Sequence, residues 1–114
     1  MTESPNLTPQ PQTVVVRYTV AAGRLEPFTA LLAQHVPTLR DLGLATPAPA
    51  ECFAAEEQDG QPTTVFEIFS WAGPSAAGTA HTHPAVTKIW EQMAQLSVGD
   101  GRPVSTPVVR LDVS

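Results

Sequence analysis

Residues 13–20, TVVVRYTV, are β-branched and aromatic, which favours a strand. One face carries Val14, Val16, Tyr18 and Val20, and the other carries Val15, Arg17 and Thr19. Gly23 breaks the run. From there apolar residues recur at Leu25, Phe28, Leu31, Leu32, Leu39 and Leu42, which is helical spacing. Pro27 suits a first turn. Pro37 lacks an amide proton and crowds the preceding turn, so a kink or break is predicted near Val36. Gly43 supplies the stop. After a Pro/Ala linker, ECFAAEE at 51–57 makes a weaker strand and DGQP at 59–62 a turn. TTVFEIFSW at 63–71 is the strongest strand. Val65, Glu67, Phe69 and Trp71 point one way, Phe66 and Ile68 the other. A strand apolar on both faces is normally central and covered on both sides. Ser75 is a candidate cap for a short helical turn over AAGTAH. A second helix is predicted from Thr82, with Val86, Ile89, Trp90, Met93 and Leu96 on its stripe. GDGRP at 99–103 is a loop. VSTPVVRLDV at 104–113 reads as a last strand, which Pro107 confines to a sheet edge or a bulge.

The order β-α-β-β-α-β, with right-handed crossovers, predicts a ferredoxin-like α+β fold: an antiparallel sheet with two helices on one face. That leaves the second sheet face bare although its central strand is apolar there. The natural cover is another copy of the chain, so a homodimer is expected. Residues 1–12, with prolines at 5, 9 and 11, read as a flexible leader, and 13–114 as one domain.

Charge and composition narrow the partners. The net charge of −5, with six scattered Lys and Arg, argues against nucleic acid, whose phosphates need a basic face. No run approaches 18 apolar residues, so no membrane span is expected. The first residues lack the basic and apolar regions of a signal peptide. The lone Cys52 excludes an intrachain disulfide. A cytoplasmic protein is therefore expected, with Cys52, in its apolar run, read as a buried inert thiol. No P-loop, GxGxxG, CxxC or nucleophile elbow is present.

The candidate chemistry lies in a few side chains. His81 and His83 form a His-x-His pair, but at a helix start such residues point apart, and His83 has Val86 and Thr87 at i+3 and i+4. No metal site is expected. Thr82 is read as the helix cap with Pro84 in the first turn, which accounts for His83. His81, before the helix, is a candidate to face a cleft. His35 shares the stripe of Phe28, Leu32 and Leu39 and reads as a satisfied, partly buried histidine. Glu67, between Val65 and Phe69, needs a partner or a shifted pKa. It is either one half of a structural ion pair with Arg17 or Arg110, or a proton-handling carboxylate.

VFEIFSW at 65–71, AHTHPAVTKIWEQM at 80–93 and VPTLRDLGL at 36–44 carry a resemblance covering nearly the whole chain after the leader. With them the chain resembles the dimeric α+β barrel superfamily, which includes the antibiotic biosynthesis monooxygenases. The resemblance implies a homodimer with facing sheets, and a cleft between sheet and helices for a small apolar or aromatic molecule. It also implies oxygenation without a cofactor, as in monooxygenases of this kind. It does not extend to the haem-degrading members: the first strand has no Asn, and His81 and Glu91 stand where those members carry Trp and His. The candidate catalytic residues are His81 and Glu67, and the candidate ligand-binding residues are Arg17, Tyr18, Trp71, His83 and Trp90. The alternative is a non-catalytic ligand-binding or structural homodimer.

Overall fold

The computed structural model describes residues 10–113, so most of the expected leader lies outside the described residues. The elements are β1 (Gln12–Val20), α1 (Leu25–Asp41), β2 (Glu51–Ala54), β3 (Thr63–Trp71), α2 (Ala76–Thr82), α3 (Pro84–Gln95) and β4 (Val104–Pro107). The strands form one antiparallel sheet in the order β2-β3-β1-β4. β1 and β3 pair along their full length, from Gln12 opposite Trp71 to Val20 opposite Thr63. The ferredoxin-like α+β architecture is thus as the element order predicts, with β4 and its Pro107 at an edge.

The inner sheet face holds Val14, Val16, Tyr18 and Val20 from β1 and Thr63, Val65, Glu67, Phe69 and Trp71 from β3, all buried. Phe28, Leu32, Val36 and Leu39 of α1 and Val86, Ile89 and Met93 of α3 complete the core. Among the described residues, no helix covers the outer face. Phe53 and Phe66, directly opposite each other, are exposed there, as is Val104, which faces Arg17.

Four expectations are corrected. Helix α1 runs unbroken through Pro37. A proline inside a helix costs about 3 kcal/mol, but Val36 and Leu39 are almost wholly buried, and each such side chain returns about 1.5–3 kcal/mol. Gly43 stops the helix as expected, with φ +76°. The short turn expected over 76–81 is a helix, α2, that ends at Thr82, and the second helix starts at Pro84 rather than Thr82, because a residue before proline is driven out of the helical region. That residue, His83, has ψ 121°, and its Nδ1 accepts from the Ala85 amide at 3.2 Å. His83 is therefore the cap, not Thr82, while Ser75 stands at the start of α2 without a side-chain cap bond. β2 and β4 stop short of the predicted spans. β2 is an edge strand of four exposed residues. Beyond β4, the Val108 amide donates to the Thr13 carbonyl. Val109, Leu111 and Val113 are exposed. No helix among the described residues is long and apolar enough to cross a membrane.

Candidate functional site

The fold joins three polar side chains that stand on core-facing stripes. Tyr18 lies opposite Val65 and Glu67 opposite Val16, so the two are diagonal neighbours on the inner sheet face. His35 follows Phe28 and Leu32 along α1 and comes down on the same spot. Tyr18 donates its hydroxyl proton to Glu67 Oε1 at 2.7 Å. His35 Nδ1 lies 2.9 Å from Glu67 Oε2 and 3.1 Å from Oε1. On the far side of the imidazole, Trp90 Nε1 donates to His35 Nε2 at 2.8 Å.

This string fixes the protons. An indole N–H can only donate, so His35 Nε2 is the acceptor and carries no proton. The single ring proton is on Nδ1 and is donated to Glu67. The imidazole is neutral, and Glu67, accepting from both neighbours, is a carboxylate. It is 1 % exposed, and among the described residues no arginine or lysine pairs with it. Burying an ion carries a penalty of several kcal/mol, which neutral donors offset only in part. Burial, and then the Glu67 charge, push the Tyr18 hydroxyl well above its ordinary range, so it stays a donor at neutral pH.

The sequence reading grouped Glu67 with Val65, Phe69 and Trp71, and Tyr18 with Val14, Val16 and Val20, but left open which sheet face carries Glu67 and gave it the wrong partner. Arg17 lies on the outer face, opposite Phe66, and Arg110 lies in the exposed segment after β4. His35 is buried as expected, and its tie to Glu67 is what sequence reasoning missed. The available signal was two lone polar residues on apolar stripes of adjacent layers. Trp90 is half-buried, and the exposed His81 stands edge-on against it with ring centroids 4.8 Å apart. His81, Trp90, His35, Glu67 and Tyr18 thus form one line from solvent to core. Trp71 is packed against Phe69 at 4.9 Å and His83 caps α3, so neither joins the line, and nor does Arg17. The space between sheet and helices, where the resemblance implied a cleft, is occupied by these side chains. An open recess of about 610 Å³ at the start of α1 is lined by Gly23, Leu25, Glu26, Thr29, Ala30 and Glu57, and by none of them. Among the described residues, no group of three His, Cys, Asp or Glu side chains is placed to hold a metal ion.

Cys52 lies opposite Glu67 on β2 and is exposed, not buried, because β2 is an uncovered edge. Its thiol is nevertheless pushed up to about 11 from 9.0, by partial desolvation first and by the Glu67 charge second. The thiolate is the reactive form. At pH 8 alkylation by iodoacetamide should therefore be roughly 100-fold slower than for a thiol at 9.0, the ratio set by two pH units. Labelling at the unhindered rate would contradict this.

No family model matches the chain, and no curated protein matches it. Solved structures do. SnoaB from Streptomyces nogalater, a cofactor-independent oxygenase, superposes with TM-score 0.59 at 18% identity, covering 90% of this chain and 95% of that one. A protein from Caulobacter crescentus assigned to the antibiotic biosynthesis monooxygenases gives 0.68 at 10%, covering 91% and 92%. Another so assigned, from Bacteroides thetaiotaomicron, gives 0.62 at 18%, covering 90% and 91%. Likeness at these identities speaks to architecture: the chain has the ferredoxin-like α+β fold of the antibiotic biosynthesis monooxygenase-like proteins, as its resemblance to the dimeric α+β barrel superfamily implied.

Proposed function

We propose that this protein is a homodimeric, cofactor-independent oxygenase that converts a small hydroxylated aromatic molecule to a quinone. The observation that carries the reading is Glu67, a buried carboxylate with no cation, set among Tyr18, Phe69, Trp90 and His35. Such a group is costly to fold around and suited to handling a proton. Removing a proton from a phenol makes an electron-rich phenolate, which dioxygen can oxidise. The balance is phenol plus O2 giving quinone plus water. The likeness to SnoaB supports this class of chemistry. The bare apolar outer face supports the dimer. A cytoplasmic location is in keeping with the lone Cys52.

A second reading is favoured by one observation: every polar atom in the string already has a partner, as in a purely structural core. Oxygen uptake separates the two. The protein is mixed, without added cofactor, with a panel of mono- and polycyclic phenols. Dioxygen consumption with quinone release is expected. Thermal stabilisation by phenols without any uptake would leave a non-catalytic binder, and neither effect would leave a structural dimer.

His81 has a separable part. It is exposed and caps one side of Trp90. His81→Ala should change stability by less than about 1 kcal/mol while weakening phenol binding several-fold. Titration of the variant checks this; unchanged affinity would remove His81 from the site.

A further inference from the structure

We propose that His35, through Nε2, is the base that takes the phenolic proton, and that the substrate O–H displaces the Trp90 indole N–H to reach it. The inference rests on the oxygenase reading for its substrate class, but the base can be tested apart from oxygenation.

The choice follows from which lone pair can be reached. Both Glu67 oxygens are occupied, by Tyr18 at 2.7 Å and His35 at 2.9 and 3.1 Å, and the residue is almost wholly buried. The Tyr18 hydroxyl is committed as a donor and held protonated. His35 Nε2 is different. It is unprotonated, and its one partner is the side chain nearest solvent in the string. Trp90 is half-buried, and against it stands exposed His81, 4.8 Å away between ring centroids. Swinging the indole aside opens Nε2 and leaves two aromatic rings, those of Trp90 and His81, beside the incoming ring.

The groups behind Nε2 then acquire a purpose. As the phenol O–H bond breaks, its electron pair stays on oxygen and the proton goes to Nε2. The imidazolium formed is already 2.9 Å from the Glu67 carboxylate. A carboxylate buried without a cation gains one at the moment of proton transfer, which favours the charged state over the resting one. Tyr18 anchors the carboxylate and is a positioning residue. Later, dioxygen adds at a ring carbon that bears hydrogen. That C–H bond breaks with its proton passing to the outer oxygen, the O–O bond breaks as the second C=O forms, the outer oxygen leaves as hydroxide, and the His35 proton completes a water molecule and restores the base. The charged and titratable groups facing His35 are Glu67 and Tyr18, with Cys52 beside them on β2 and His81 beyond Trp90. This field favours a neutral O–H acid over a carboxylate or phosphate.

The probe is 4-nitrophenol, whose absorption changes when it ionises. At a pH one unit below its own pKa it should bind the native chain as nitrophenolate. Trp90→Phe, lacking the competing N–H, should bind it about tenfold more tightly. His35→Gln should leave it neutral. On the native chain alone, nitrogen NMR of labelled histidine should show His35 Nε2 unprotonated when free and protonated at saturating nitrophenol, so the answer does not depend on a folded His35 variant. Nitrophenol bound neutral or not at all, ionised equally by His35→Gln, or without effect on Nε2, would overturn the proposal. Deprotonation at His35 with no oxygen uptake from any phenol would sink the oxygenase reading and leave the base; uptake undiminished in His35→Gln would do the opposite.

Discussion

Replacing Glu67 with alanine should destabilise the fold by about 3–5 kcal/mol, a large part of the 5–15 kcal/mol that holds a domain together. Removing the buried side chain leaves a cavity between sheet and helix. It also strands the buried Tyr18 O–H and His35 Nδ1–H, whose acceptor among the described residues is Glu67. Each buried donor without a partner costs about 1–3 kcal/mol. Release of the carboxylate's own desolvation penalty opposes these losses, which keeps the net below their simple total. Glu67→Gln tests the balance. Its carbonyl can accept from His35, and the Tyr18 hydroxyl can turn to accept from its amide, so a smaller loss of about 1–3 kcal/mol is expected. The order Glu67→Ala, then Glu67→Gln, then His81→Ala should appear in urea denaturation midpoints. Equal midpoints for Glu67→Ala and His81→Ala would mean that the string bears no weight in the fold.

Which residues share a face was legible because strand alternation is local, although which sheet face carries Glu67 was not. Tyr18 falls with Val14, Val16 and Val20, and Glu67 with Val65 and Phe69, whatever the tertiary structure. Their pairing was not legible, because it depends on how β1 is set against β3. A shift of one residue would put Arg17 opposite Glu67 in place of Val16. Alternation alone argued against the arginine, since a strand that buries Tyr18 turns Arg17 outward. His35 was hidden for another reason. Its stripe position was plain, but its height over the sheet follows from the path of α1, and Pro37 suggested a kink or break where packing keeps the helix unbroken. His83 shows the converse. The rule that restrains a residue before proline is local, and it was available to move the start of α3 from Thr82 to Pro84.

The proposed dimer should fall apart when Phe66 is changed to glutamate. Phe66 stands on the outer sheet face, next to exposed Phe53, and is 37 % exposed in the single chain. In a two-fold dimer through this face every change acts twice. Fully burying a phenylalanine is worth roughly 1.5–3 kcal/mol, and only about a third of Phe66 is left for the interface to cover, so losing two removes about 1–2 kcal/mol, a factor of roughly 10 in Kd, to which is added the larger cost of bringing two carboxylates into an apolar interface. The fold of each chain should survive. The new carboxylate points away from the core and lies opposite Arg17, which can pair with it within the same strand pair. Light scattering at micromolar concentration should therefore return twice the 12.1 kDa chain mass for the native protein and the single mass for the variant, with unchanged circular dichroism. A native protein that is itself monomeric under these conditions would remove the dimer, and the bare apolar sheet face would need another occupant.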